Sequence, residues 1–286
     1  MPHRETTVAS PIQSADRDVI AVAGLTIATS DGTELVRNIS LRVPHGSTLG
    51  IVGESGSGKS LTCRAILGIL PEGLEITGGR IELDGTDLST LTPRQWRELR
   101  GSRVSAVFQD PASYLNPSLR VGVQLAEVLR VKVGLSRRAA TARSVELLDQ
   151  MGLHEPASVA RQYPFELSGG MLQRVLIAIA LAADPEVLIA DEATTALDVT
   201  VQAEVLDLLE DLRRDRGLTL IIVSHDFAVV SQLCDQIVVL KDGELVEGGS
   251  AGMILTRPQH PYTRLLIENH HEYGVERYFD EEPVSA

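Results

Sequence analysis

Leu49-Gly50-Ile51-Val52-Gly53-Glu54-Ser55-Gly56-Ser57-Gly58-Lys59-Ser60-Leu61 is the stretch on which the reading of this chain turns. Gly53–Ser60 fits the pattern G-x-x-x-x-G-K-[ST]. The apolar run Leu49–Val52 before it reads as a buried strand, and Ser60–Leu70 after it reads as a helix. Strand, glycine-rich loop and helix in that order form a phosphate-binding loop. The glycines let backbone N–H groups turn inward around phosphate oxygens. The helix N-terminus adds its partial positive charge. Lys59 reaches the β- and γ-phosphates, and Ser60 offers a hydroxyl to Mg²⁺.

Further along, short apolar runs alternate with helical patterns. Val104–Phe108, Val187–Ala190 and Leu218–Val223 read as strands, and Arg137–Met151, Ser168–Ala183 and Val201–Arg216 as helices. Gly152 is the expected stop of the first of these helices. Continuous apolar strands between helices imply a parallel sheet buried on both faces. The first 45 residues and Gly79–Gly85 carry hairpin patterning, and 110–165 is mainly helical. The expected class is α/β, with an antiparallel β part and a helical insertion.

Polar residues stand at the ends of these strands. Val187-Leu188-Ile189-Ala190-Asp191-Glu192 is an apolar strand ending in two carboxylates. Asp191 suits Mg²⁺, held through water. Glu192 is placed to polarise an attacking water as a general base. His225, beyond Leu218–Val223, is placed as a sensor of the γ-phosphate. Gln109, after Val104–Phe108, offers an amide oxygen to Mg²⁺ or orients water. Leu167-Ser168-Gly169-Gly170-Met171-Leu172-Gln173-Arg174 opens a long helix, and its Ser-Gly-Gly start makes a second anion site.

Composition bounds the alternatives. The chain has 286 residues, 43% hydrophobic and 23% charged, which is ordinary for a globular protein. Its 26 basic against 39 acidic residues give a formal charge of −13, which argues against nucleic acid as a partner. The two cysteines, Cys63 and Cys234, make neither a disulfide framework nor a four-cysteine metal site. They are expected to be buried in a reducing cytosol. The longest apolar run, Val175–Ala183, falls far short of the roughly 18 residues a membrane span needs. Residues 1–18 read as a flexible lead without a signal peptide's apolar core. Residues 269–286 read as a loose acidic tail, in which His270-His271 is a solvated pair.

Taken together and in this order, the loop, Gln109, the Ser168 segment, Asp191-Glu192, Ala196-Leu197-Asp198 and His225 closely resemble the nucleotide-binding subunit of ABC transporters. The resemblance spans roughly residues 18–268. It implies a P-loop NTPase core with an antiparallel β subdomain and a helical subdomain at about 110–183, within one ATPase domain at 19–268. By resemblance Gly53–Ser60 is the Walker A loop, with Leu61 also at the nucleotide, and Val187–Asp191 is the Walker B strand. Glu192 is then the catalytic glutamate, Gln109 the Q-loop residue, Asp198 the D-loop and His225 the switch histidine. Leu167–Gln173 is the signature, with Ser168, Gly169, Gly170 and Gln173 as its nucleotide-contacting residues. The implied cofactors are ATP and Mg²⁺. The implied partners are a second ABC ATPase subunit, two membrane permease subunits and, indirectly, a solute-binding protein. The implied location is peripheral, on the cytoplasmic face of the cell membrane.

Three stretches resemble the oligopeptide, dipeptide and nickel importer branch: Phe108–Pro117, Ala193–Ala203 and Arg257–Leu266. The alternative is a soluble ABC-type ATPase not coupled to transport. Against it stand the acidic charge, a single phosphate-binding loop, and only roughly 110 residues without heptads between Ser60 and the signature. Some features depart from the family pattern. No Phe, Tyr or Trp lies between Leu25 and Gly50, Thr29 stands in the aromatic's place, and Ala193 replaces a proline. No cysteine follows Cys234, so the iron–sulfur cluster of many relatives is not expected here. Adenine is expected to rest on an aliphatic residue such as Val36. Tyr114 and Leu115 are expected to form the surface that meets the membrane subunits.

Overall fold

The structure is a computed structural model, and it describes residues 18–193 and 198–270. An antiparallel sheet is built from β1 (Asp18–Thr29), β2 (Glu34–Pro44), β4 (Leu74–Leu83) and β5 (Thr86–Asp87), while β3 (Thr48–Val52) begins the second sheet. That sheet continues with β6 (Val104–Phe108), β7 (Val187–Asp191), β8 (Thr219–Ser224), β9 (Gln236–Lys241) and β10 (Glu244–Ser250). The orders are β2-β1-β4-β5 and β10-β9-β3-β8-β7-β6. In the six-stranded sheet β9, β3, β8, β7 and β6 run parallel, and β10 pairs antiparallel with β9.

Every residue of β3, β7 and β8 is buried, the signature of central strands covered on both faces. Alternation then deals the side chains of β7, β8 and β9 to two cores. Leu188, Leu220, Ile222, Ile237 and Val239 enter a core shared with helices. Val187, Ile189, Ile221, Val223 and Leu240 enter a core shared with Ile20, Leu25 and Ile39 of the antiparallel sheet. The parallel sheet is therefore the middle layer, and its strand ends are the fixed frame on which loop residues are hung.

The helices are α1 (Lys59–Ile66), α2 (Pro93–Leu99), α3 (Pro111–Tyr114), α4 (Val121–Val128), α5 (Arg137–Gln150) and α6 (Pro156–Val159). They continue as α7 (Gly169–Ala180), α8 (Val199–Arg216), α9 (Phe227–Leu233), α10 (Ala251–Thr256) and α11 (Pro261–His270). The segment expected to be the helical subdomain, 110–183, holds α3 to α7 and no strand among its described residues.

Several boundaries differ from the sequence expectation. Helix α1 ends at Ile66 rather than Leu70, because Gly68 turns left-handed (φ 61°) and Trp96 packs where a side chain would stand. Helix α8 starts at Val199 rather than Val201, since the Asp198 carboxylate accepts the Val201 N–H at 3.0 Å and caps it. Asp18, placed in the lead, is the first residue of β1 and pairs with Arg42 at 2.8 Å. Asn269, placed in the tail, belongs to α11. His271, Ala196 and Leu197 lie outside the described residues.

Candidate nucleotide site

The loop after β3 is shaped by glycines in conformations closed to other residues: Gly53 has φ 151° and Gly58 φ 98°. A Cβ at Gly53 would sit 2.1 Å from the Leu240 carbonyl oxygen of β9, so only glycine passes there. Gly58 caps α1, and Lys59 and Ser60 follow as its first two residues. The Lys59 ammonium donates to the carbonyls of Gly53 at 2.7 Å and Glu54 at 2.8 Å. Lys59 is only 4% exposed, and burial pulls its pKa down, opposed by the nearby Glu192 and Asp191 carboxylates. A desolvated cation resting on weak neutral acceptors is primed for a phosphate.

Asp191 ends β7, beside β6 and β8. Its Oδ1 accepts the Ser60 hydroxyl at 2.9 Å across 131 residues of chain. The side chain is 5% exposed. Burial raises its pKa, Glu192 adds to the rise, and the Ser60 hydrogen bond works against it. A buried carboxylate touching a hydroxyl, with a second carboxylate one residue on, is a set of hard oxygens that fits Mg²⁺.

Glu192 has φ 50°, an uncommon conformation for a non-glycine residue and one associated with functional sites. Its N–H is tied to the Val223 carbonyl at 3.0 Å, at the end of the neighbouring β8. Its Oε1 lies 3.6 Å from Nδ1 of His225. Two adjacent strand ends thus bring the candidate base and the candidate sensor together. Gln109 follows β6, which pairs with β7 at Phe108 and Asp191, so it stands one strand over from the two carboxylates and is exposed. Phe108 stacks on Tyr114 with centroids 5.4 Å apart.

Ser168 caps α7, its hydroxyl accepting the Met171 N–H at 3.3 Å. Ser168 and Gly169 are exposed. Gly170 packs against α8, where a Cβ would meet Val201 at 2.5 Å. Gln173, grouped with them in the sequence reading, is 1% exposed, and both its amide atoms lack protein hydrogen-bond partners. The helical turn that brings Ser168 to the surface carries Gln173 inward. Val36 is likewise fully buried, packed toward Gly58, and offers no face to adenine. Tyr114 is exposed, whereas Leu115 is buried in the helical core and not at a docking surface.

The sequence reading missed Tyr262. Its hydroxyl oxygen accepts the Glu54 N–H at 3.1 Å across 208 residues, and no local pattern announces such a contact. Cys63 and Cys234 are buried, and burial pushes both thiols well up.

The profile of the ABC transporter family matches residues 36–195. The probable D,D-dipeptide transport ATP-binding protein DdpD of Escherichia coli is 45% identical over 243 residues, covering 85% of this chain and 74% of that protein. The dipeptide transport ATP-binding protein DppD of Bacillus subtilis is 42% identical over 253 residues, covering 87% of this chain and 76% of that one. The glutathione import ATP-binding protein GsiA of Salmonella typhimurium is 41% identical over 97% of this chain, which spans 45% of GsiA. Among solved structures, cbiO1 of Clostridium perfringens, part of the transporter complex cbiONQ, superposes with a TM-score of 0.75 at 29% identity, over 85% of this chain and 92% of its own. The ATP-binding cassette MJ0796, in a dimeric state bound to ADP and Pi, gives 0.72 at 29% identity, over 81% and 98%. This chain, with its strand-end carboxylates gathered at a glycine-rich loop, belongs to the ABC transporter family and is one of its ATP-binding, ATP-hydrolysing subunits.

Proposed function

We propose that the chain powers an importer for peptides or related small solutes, working at the cytoplasmic face of the cell membrane. Its partners are two membrane subunits, a second and unlike ATPase chain, and indirectly a solute-binding protein. The observation that carries the site assignment is the joining of Lys59, Ser60, Asp191, Glu192 and His225 at the ends of three neighbouring parallel strands. The dipeptide and glutathione names of the relatives support the substrate class. No helix among the described residues is long and apolar enough to cross a membrane, so passage falls to partner subunits.

Asp191 and Ser60 would hold Mg²⁺, which when bound neutralises phosphate charge and orients the terminal phosphate. Lys59 exchanges its two carbonyl acceptors for phosphate oxygens. Glu192 takes the proton of the attacking water, with its backbone fixed by Val223 and its carboxylate facing His225. Ser168 and Gly169 face outward and contact the nucleotide held by the partner ATPase. The test is purification with co-expressed membrane subunits, followed by ATPase and peptide-uptake assays with and without EDTA. Stable co-purification with Mg²⁺-dependent hydrolysis stimulated by peptide-loaded binding protein is expected. A chain that hydrolyses ATP but binds no membrane subunit would overturn the importer reading.

A further inference from the structure

The stretch Arg257–Leu266 lies beyond the matched residues 36–195. In the fold it reaches the phosphate-binding loop. Tyr262 is the second residue of α11, after Pro261, and is 6% exposed. Its hydroxyl oxygen accepts the Glu54 N–H at 3.1 Å. The carbonyl of the same Glu54 accepts Lys59 Nζ at 2.8 Å. One residue of the loop is therefore held at its N–H by Tyr262 and at its carbonyl by the lysine that must reach phosphate.

The ring is itself held in place. Lys241, ending β9, places its ammonium 4.9 Å over the ring centroid. The Tyr262 N–H donates to His260 Nδ1 at 3.2 Å. The Glu247 carboxylate on β10 accepts the N–H groups of Gln259 at 2.7 Å and His260 at 3.1 Å. These bonds tie the start of α11 to the β9–β10 hairpin. That hairpin braces the loop a second time, since the Gly243 N–H donates to the Ser57 carbonyl at 3.2 Å. Burial raises the phenol's pKa, so it stays neutral and keeps its hydroxyl form.

We propose that Tyr262 is a positioning residue of the nucleotide site: from α11 it fixes the first corner of the phosphate-binding loop and so sets nucleotide affinity. The Glu54 N–H needs an acceptor, and a loop already fixed loses less freedom when phosphate arrives. The proposal rests on the reading of Gly53–Ser60 as a nucleotide loop, and its test separates the two.

The test is Tyr262→Phe, which keeps the ring, its packing and its contact with Lys241 and removes only the hydroxyl. Binding of trinitrophenyl-ATP to the isolated chain is expected to weaken about three- to tenfold, the range of one ordinary hydrogen bond. In the assembled transporter KM for ATP should rise by the same factor while kcat is retained. In the nucleotide-free chain, amide exchange at Glu54 should quicken, with Thr48–Val52 of β3 unchanged. A folded Tyr262→Phe chain with unaltered affinity and unaltered Glu54 exchange would overturn the proposal and leave the nucleotide site standing. Weakened protection spread over α11, with the loop untouched, would reduce Tyr262 to packing and overturn it too. Failure of the unmodified chain to bind the probe would overturn both readings.

Discussion

At the residue scale, the strand-end groups answer to different physical constraints. Glu192 stands in a strained left-handed conformation with its carboxylate 3.6 Å from His225. Glu192→Gln keeps the shape and loses the proton acceptor, so ATP turnover should fall about 10²–10⁴-fold. Binding of ATP should persist, and turnover assays beside nucleotide titration measure the two separately. Asp191 poses the opposite question. Its folded pKa lies above the unfolded value, so the folded chain binds the extra proton between those two values. Stability from this group is present below the unfolded pKa and is lost as pH rises through the folded one. At neutral pH the nucleotide-free chain therefore carries an unfavourable buried charge. Asp191→Asn should raise its melting temperature while abolishing Mg²⁺-dependent hydrolysis. Calorimetry at pH 7 decides it, and a lowered melting point would refute the desolvation argument.

At the element scale, the Ser168–Gly170 turn is positioned by contact between α7 and α8. Gly170 lies so close to Val201 that an added methyl would stand 2.5 Å from Cγ1. Valine is stiff at this torsion, so the two helices must separate. Gly170→Ala should destabilise the chain by about 1–3 kcal/mol, the usual cost of overpacking. Adding Val201→Ala should restore much of that loss in chemical denaturation, because the methyl then has room. If the double variant is no more stable than Gly170→Ala, the helix contact is not the cause. The same pair links the start of α7 to that of α8, which the Asp198 carboxylate caps.

At the scale of the whole molecule, Ser168 opens α7 in the helical part whereas Lys59 opens α1 on the parallel sheet. A site that needs both is expected to form between two chains, head to tail. The proposed partner is an unlike ATPase. Purified alone, the chain should be a monomer with little turnover, and the Glu192→Gln form with Mg-ATP should pair stably only when that partner is added. Light scattering and turnover assays read both properties. A stable homodimer with full activity would remove the unlike partner from the scheme. The buried, raised thiols add a check on the folded state: Cys63 and Cys234 should react with maleimide only after denaturation.

Local chemistry made much of this protein legible from its sequence. Gly53–Ser60 needs particular dihedral angles and a particular charge, and those demands are written in consecutive residues. Apolar β3, β7 and β8 could be read because burial on both faces leaves no polar position. The order of motifs then placed Asp191, Glu192, Gln109 and His225 at strand ends. What tertiary structure alone decided is direction and company. Helical phase turned Gln173 inward while Ser168 stayed exposed, and strand alternation buried Val36, on which adenine was expected to rest. The bond from Glu54 to Tyr262 spans 208 residues, and the bond from Ser60 to Asp191 spans 131. Local pattern carries no record of such distances: they are fixed when β9 and β7 take their places in the sheet and draw distant side chains to one loop.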